Sequence, residues 1–348
     1  MKRMPNIFHR RRSEAGKHAK KGRHQLILTA AAGVVIAAII VIASVSRAQS
    51  TLALPMQWSN KNMVYTDTDQ TAMRTPDAFT SGLCVGENST TSSDITLQGN
   101  ESGALFSLDD QKVLFSHDMY KKIYPASITK IMTAIVALKN GNMDDTVTIN
   151  WQDVELESGS QVAGLAIGDQ VTMSALLNGM LVHSSNDCAQ AIARHVGGTM
   201  DNFVAMMNEE LTELGCTGSH FTNPTGLHDS NHYTTVYDIY LMLNEALKYD
   251  TFVSIMQTSV YAMNITSASG ESRTIQLDST DHYLTGEETA PQNVTVLGGK
   301  TGTTSEAGSC LALVSQNAYG QYYISIIVGA ETKAVLYEDM SNLLASIN

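Results

Sequence analysis

Three short strings stand in order along the chain: Ser127-Ile128-Thr129-Lys130, Ser184-Ser185-Asn186 and Lys300-Thr301-Gly302. Together they read as an acyl-transfer site. A serine hydroxyl is almost wholly protonated at neutral pH and attacks a carbonyl only with a base in hydrogen-bond reach. Pro125 and Ala126 read as a helix start, and Lys130 lies three residues beyond Ser127, so on a helix the two side chains share a face. Lys130 can then act as the base, provided burial and a second cation lower its pKa, and Lys300 is the natural second cation. The helix N-terminus adds its positive dipole end where negative charge develops in a tetrahedral intermediate. Taken alone, the pair equally describes a capping serine and a solvated lysine.

Ser184 and Asn186 fall between two apolar helical runs, where a loop can present a hydroxyl and an amide to a cleft. The hydroxyl can relay a proton to a leaving amine; the amide can hold Lys130 or bind a substrate amide. By itself the triplet is also an ordinary helix N-cap. Gly298-Gly299-Lys300-Thr301-Gly302-Thr303-Thr304 follows a strand-like run at 294–297, so its glycines let the backbone approach a ligand. A phosphate-binding loop fails here, because that motif needs glycine where Val294 stands and a helix after the Lys-Thr. A strand edge beside a serine nucleophile can pair with an extended peptide, with the Thr301 and Thr303 hydroxyls near its carboxylate.

The elements that position these residues follow from pattern. Apolar spacing predicts helices over 128–139, 173–182, 187–195, 200–214, 236–248 and 334–346. A hairpin is expected around Asp109-Asp110, and strands at 309–315 and 322–328. Strands at both ends with helices between give one α/β unit. His228 and His232 have helical metal-ligand spacing but lie in the Pro224 to Gly226 turn region, which argues against ligation. No metal or other cofactor is expected. Cys84, Cys188, Cys216 and Cys310 show no Cys-x-x-Cys spacing and are read as mostly free thiols.

The first 47 residues carry ten of the 22 Lys and Arg but one of the 34 Asp and Glu. The acidic remainder, without a basic patch, excludes nucleic acid as a partner. Residues 26–45 are twenty uncharged, mainly apolar residues, the length of a membrane-spanning helix, and the positive-inside rule keeps the N-terminus in the cytoplasm. A cleaved signal peptide with Ser46-Arg47-Ala48 as its site is the competing reading; the long apolar stretch favours a retained anchor. The expected organisation is a basic cytoplasmic tail (1–25), a transmembrane signal-anchor (26–45), a polar stalk (46–100) and a catalytic domain (101–348) outside the membrane.

From about Ser102 onward the chain closely resembles the serine-type D-alanyl-D-alanine carboxypeptidases, the low-molecular-mass penicillin-binding proteins of peptidase family S11. The resemblance rests on four ordered stretches: Pro125-Ala126-Ser127-Ile128-Thr129-Lys130-Ile131-Met132-Thr133-Ala134, Leu181-Val182-His183-Ser184-Ser185-Asn186-Asp187, Phe221-Thr222-Asn223-Pro224-Thr225-Gly226-Leu227, and Gly299-Lys300-Thr301-Gly302-Thr303-Thr304-Ser305-Glu306-Ala307-Gly308. It implies a penicillin-binding protein/β-lactamase-like α/β fold: an antiparallel five-stranded sheet flanked by helices, with a helical subdomain. It also implies that Ser127 is acylated by the D-Ala-D-Ala end of a peptidoglycan stem pentapeptide, releasing D-Ala, and that water then frees the shortened stem. Lys130 would be the base, Ser184 the proton relay and Asn186 a contact to substrate and lysine. Lys300 and Thr301 would hold the carboxylate side, and the N-H groups of Ser127 and Thr303 would form the oxyanion hole. β-Lactams would trap Ser127 covalently.

Three departures stand out. Thr303 occupies the place of a frequent family histidine. The stretch Glu331-Thr332-Lys333-Ala334-Val335-Leu336 offers Lys333 where relatives often carry a carboxylate-binding arginine. The sequence ends at Asn348 without the β-rich second domain and amphipathic anchor of many relatives, and the N-terminal helix is expected to anchor instead. A Glu-x-x-Leu-Asn string, which serves rapid deacylation in one β-lactamase class, is missing after Asn186, so slow β-lactam turnover is expected. An endopeptidase with the same residues and a non-catalytic cell-wall scaffold are the alternative readings.

Overall fold

Nearly unbroken apolar runs at 104–106, 310–314 and 323–328 demand burial on both faces, and the computed structural model makes all three central strands of one sheet. The structure describes residues 82–90 and 95–347. The expected tail 1–25, transmembrane helix 26–45 and stalk residues 46–81 lie outside the described residues. Among those described, no helix is long and apolar enough to cross a membrane.

The strands in chain order are β1 (Ser102–Ser107), β2 (Lys112–His117), β3 (Thr146–Thr148), β4 (Gln170–Thr172), β5 (Val260–Thr266), β6 (Ser272–Asp278), β7 (Val294–Thr304), β8 (Gly308–Asn317) and β9 (Tyr322–Ala330). The helices are α1 (Lys130–Asn140), α2 (Trp151–Val154), α3 (Met173–Val182), α4 (Asn186–Gly197), α5 (Met200–Glu213), α6 (Val236–Ala246), α7 (Asp250–Met256), α8 (His282–Thr285) and α9 (Lys333–Ala345). Thr172, Thr199, Thr235 and Thr332 cap α3, α5, α6 and α9, each hydroxyl accepting a first-turn N-H. Such a cap contributes about 1 kcal/mol.

The expected five-stranded antiparallel sheet is present, in the order β2-β1-β9-β8-β7. One face is covered by α9, whose Tyr337, Met340 and Leu344 join Leu311, Leu313 and Ile327 in a buried cluster. On α6, Tyr240 stacks on Phe106 of β1 with ring centroids 4.2 Å apart. A bulge between Val296 and Gly298 bends β7, and Gly298 sits so close to Met256 that a Cβ would lie 2.0 Å from its carbonyl oxygen.

Two features differ from the sequence reading. The region between the outer strands is not helical throughout: β3-β4-β5-β6 form a second sheet. Its strands bury few residues each, chiefly Met263, Ile265 and Leu277, and their polar partners mask the alternation. The boundary expected at residue 100 also falls inside a packed unit. Val85 bridges Lys112, the buried Cys84 donates its N-H to Tyr240 Oη at 2.9 Å, and Ile95 and Leu97 enter the core beside α9. These apolar residues are too sparse and irregular to show a period. All four cysteines are buried as free thiols.

Candidate active site

The nucleophile candidate sits where a short 3-10 turn, Ala126–Thr129, feeds α1. Ala126 has φ +47°, a left-handed conformation that costs a non-glycine residue about 1 kcal/mol or more, so its surroundings must hold it. They do so from two sides. Gly226, itself at φ +83°, lies against the Ala126 carbonyl so tightly that a Cβ would stand 1.8 Å from the oxygen. Thr129 Oγ1 donates to the same carbonyl at 2.8 Å and is gripped by His232 Nε2 at 2.8 Å. Because His232 Nδ1 accepts from the Thr222 N-H at 3.1 Å, Nε2 carries the ring proton and donates to Thr129. Burial pulls His232 down to about 4, so it is neutral in this role. Both its nitrogens are engaged, and His228 packs edge-on against Tyr124.

Lys130 is fully buried, and its Nζ donates to Ser127 Oγ (2.9 Å), Asn186 Oδ1 (2.7 Å) and the Thr225 carbonyl (2.7 Å). The Thr225 carbonyl is aimed by Asn223, whose Oδ1 accepts from the N-H groups of Thr225 and Gly226, and Thr133 Oγ1 ties the neighbouring Pro224 carbonyl to α1. Burial, and next the charge of Lys300, push the Lys130 ammonium well below its ordinary value. A neutral Lys130 turns its lone pair toward one of these three partners, and only the Ser127 hydroxyl has a proton to give it.

Ser184 joins α3 to α4 at φ +61°, and its Oγ accepts from Lys300 Nζ at 2.9 Å. Lys300 also donates to the Thr301 carbonyl at 2.9 Å. Burial lowers Lys300 to about 7, opposed by nearby Asp281, which burial in turn raises to about 6. Gly302 of β7 approaches the nucleophile closely: a Cβ there would lie 2.9 Å from Ser127 N. On the opposite wall the Asp187 carboxylate accepts the N-H groups of Ala163, Gly164 and Leu165, and the Asn186 N-H donates to the Gln161 carbonyl. These bonds pin the segment carrying Gly159, Ser160 and Gln161 against α4.

The result is one open cleft of about 380 Å³. Ser127, Ser184, Asn186, Thr301, Gly302 and Thr303 line it, and Lys130 and Lys300 are buried directly behind two of those serines. All eight residues singled out from the sequence therefore meet in one place. Lys333 and Tyr337 at the start of α9 also line the cleft. Sequence reasoning missed Thr225, which acts through its carbonyl, Thr280, whose hydroxyl bonds that of Thr301, and Asp281 behind the site, and it weighed His232 only as a metal ligand. Only Thr225 lay in a stretch already quoted for its resemblance.

Comparisons with known proteins give the family and the fold. The family model described as D-alanyl-D-alanine carboxypeptidase, peptidase S11, matches residues 87–332. The D-alanyl-D-alanine carboxypeptidase DacF of Bacillus subtilis is 30% identical over 235 residues, covering 67% of this chain and 58% of DacF. DacC of Escherichia coli is 31% identical over 244 residues, covering 67% of this chain and 57% of DacC. The chain thus spans less than two thirds of the length of these two relatives. The crystal structure of the Streptomyces K15 DD-transpeptidase shares the fold with a TM-score of 0.64 and 26% identity, over 69% of this chain and 94% of that one. The chain belongs to the D-alanyl-D-alanine carboxypeptidase family, peptidase S11.

Proposed function

We propose that this chain is a serine D-alanyl-D-alanine carboxypeptidase that removes the terminal D-Ala from peptidoglycan stem pentapeptides. The observation that carries the reading is the buried Lys130 ammonium site, 2.9 Å from Ser127 Oγ and held low by burial and Lys300. Neutral Lys130 takes the hydroxyl proton as Ser127 Oγ bonds to the penultimate D-Ala carbonyl carbon. The N-H groups of Ser127 and Thr303 receive the resulting oxyanion. The close approach of Gly302 to Ser127 N supports that assignment, because it brings the two backbone segments side by side. Collapse breaks the C-N bond, and the proton reaches the leaving amine through Ser184, whose oxygen is bonded to Lys300. Water then adds to the acyl carbon, Ser127 Oγ leaves and recovers its proton, and the shortened stem departs. Thr301, Thr303, Lys300 and the cleft-lining Lys333 supply hydroxyls and positive charge for the terminal carboxylate.

A β-lactam acylates Ser127 by the same route, but its leaving nitrogen stays tethered in the site, so the adduct persists. The uncharged stretch 26–45 behind a basic N-terminus supports a single-pass anchor in a bacterial membrane with the catalytic domain outside.

The test uses the full chain and its Ser127→Ala variant. Wild type releases D-Ala from a stem pentapeptide and takes a stable fluorescent penicillin label on Ser127, from a reagent that does not cross membranes, with the labelled band in the membrane fraction. The variant does neither. No release and no label by a folded wild type would overturn the enzyme reading, and a labelled band found wholly in the medium would overturn the anchor.

A further inference from the structure

A second hollow, of about 580 Å³, opens beside Trp151, and nothing in the chemistry above uses it. Its size lies in the range of small-ligand sites, roughly 300–1,000 Å³. Trp151 is 58% exposed, an unusual condition for the largest aromatic side chain when it is not on a mobile tip. Here the backbone that carries it is braced. Asn150 and Asp153 form a reciprocal capping box around α2, with Asn150 Oδ1 accepting from Gln152 N at 2.9 Å and Asp153 Oδ2 from Asn150 N at 2.8 Å. The same buried Asp153 takes a forked pair of bonds from Arg194 of α4, Nε to Oδ1 at 2.8 Å and Nη2 to Oδ2 at 2.7 Å. A four-residue helix is thus bolted to α4 with its tryptophan facing solvent. Gln152, Glu155 and Gln190 line the same hollow, and their side chains make no hydrogen bond among the described residues.

A flat, exposed aromatic face on a braced turn, sharing a hollow with free amides and a carboxylate, suits a sugar. The C-H face of a pyranose packs on indole, while hydroxyls and an acetamido group pair with amide and carboxylate edges. An uncharged sugar also has no quarrel with the acidic body of this chain.

The hollow and the cleft share two walls. On α4, Asn186 lies in the cleft, Gln190 about 6 Å further along the axis and Arg194 about 12 Å, at ~1.5 Å per residue. On the other side the chain leaves Glu155 in the hollow and reaches Ser160 and Gln161 in the cleft wall. A five-residue stem peptide spans at most roughly 17 Å when extended, enough to connect the two.

We infer that the Trp151 hollow binds an N-acetylated amino sugar of the glycan strand to which the stem peptide is attached, so that the enzyme grips its substrate at both ends. The inference deepens the carboxypeptidase reading and rests on it. It is tested on the full chain with two substrates, a free stem pentapeptide and the same peptide on its N-acetylated disaccharide, and by calorimetric titration with the peptide-free disaccharide. The expected result is a kcat/KM about tenfold higher for the sugar-bearing substrate, through KM. Trp151→Ala and Gln190→Ala abolish that ratio and the disaccharide heat, and leave turnover of the free pentapeptide and the melting temperature unchanged. Equal kcat/KM for the two substrates, or a preference that survives Trp151→Ala, overturns the sugar subsite. Failure of the carboxypeptidase reading looks different: neither substrate releases D-Ala, and the disaccharide titration alone then decides the subsite.

Discussion

Two lysines, each fully buried and each bonded to a serine at 2.9 Å, face the same cleft and are tuned differently. Lys130 has three oxygen partners, a hydroxyl, an amide carbonyl and a backbone carbonyl, and none of them is charged. Lys300 has a hydroxyl and a backbone carbonyl and, close by, the Asp281 carboxylate. Burial lowers both; at Lys130 the next influence is Lys300 as a like charge, opposed by Cys188 and Asp187, whereas at Lys300 it is Asp281 as an opposite charge. The strongest neighbouring charge therefore disfavours an ammonium at Lys130 and favours one at Lys300. Placement of neighbouring charges biases two similar groups in opposite directions, which suits the proposed base and electrostatic anchor.

The sharpest way to break this comparison is to remove each lysine in turn and follow acylation by a β-lactam. Lys130→Ala is expected to slow acylation by about 10⁴, the upper end of what a positioned base supplies. Lys300→Ala is expected to cost about 10²-fold, because it removes charge stabilisation and the Ser184 contact, while Lys130 loses one of the two influences that lower it but keeps the larger, burial, and its place beside Ser127. Stopped-flow or gel-based labelling rates, with melting temperatures to confirm folding, measure both. Equal losses, or a larger loss at Lys300, would reverse the two roles.

A finer test acts on the carboxylate. Asp281 favours the charged form of Lys300, so Asp281→Asn lowers the Lys300 pKa from about 7 and moves the alkaline limb of kcat/KM toward acid. Asp281 itself titrates at about 6, so the wild type loses the effect below that pH and the two enzymes converge there. The difference is expected to open above about pH 6 and reach about tenfold near pH 8. A ratio constant across the pH profile would show that Asp281 does not set the state of Lys300.

The lysines were legible in the sequence; the device that separates them was not. Ser127 and Lys130 share a helical spacing, and the Lys300 string follows a recognisable strand, so the ordered combination of motifs singled them out. The central strands of the large sheet were legible from local pattern, since β1, β8 and β9 are buried on both faces and carry dense apolar runs, whereas the expectation of five antiparallel strands came from the family resemblance. Asp281 stands 19 positions before Lys300, capping the four-residue α8, and looks like any N-cap aspartate. Thr225 contributes a carbonyl, which no side-chain pattern records. β5 and β6 each bury one or two residues, and a strand so lightly buried leaves little trace against its polar neighbours.

His232 provides the smallest and most local test, because like Lys130 it is buried without an opposite charge in hydrogen-bond contact and is therefore kept neutral. Its folded pKa, about 4, lies below its ordinary 6.5, so the unfolded chain binds more protons between those values. The stability tied to His232 is thus fully present above pH 6.5 and is lost as pH falls toward about 4, by about 3 kcal/mol in all. His232→Phe keeps the stacking on Phe221 but cannot donate to Thr129 or accept from Thr222. That variant is expected to lose about 2 kcal/mol at neutral pH, from the Thr222 N-H left unpaired, and to show a flatter stability profile from about pH 6.5 to 4. Acylation of Ser127 is expected to slow about three- to tenfold, well short of the ~10²-fold that a 1 Å misplacement costs, because Gly226 still braces Ala126. Denaturant titrations across pH, paired with labelling rates, separate the two effects. An unchanged rate beside a flattened profile would make His232 a stabilising residue only, whereas both changes together tie the left-handed turn at Ala126 to the reactivity of the serine that follows it.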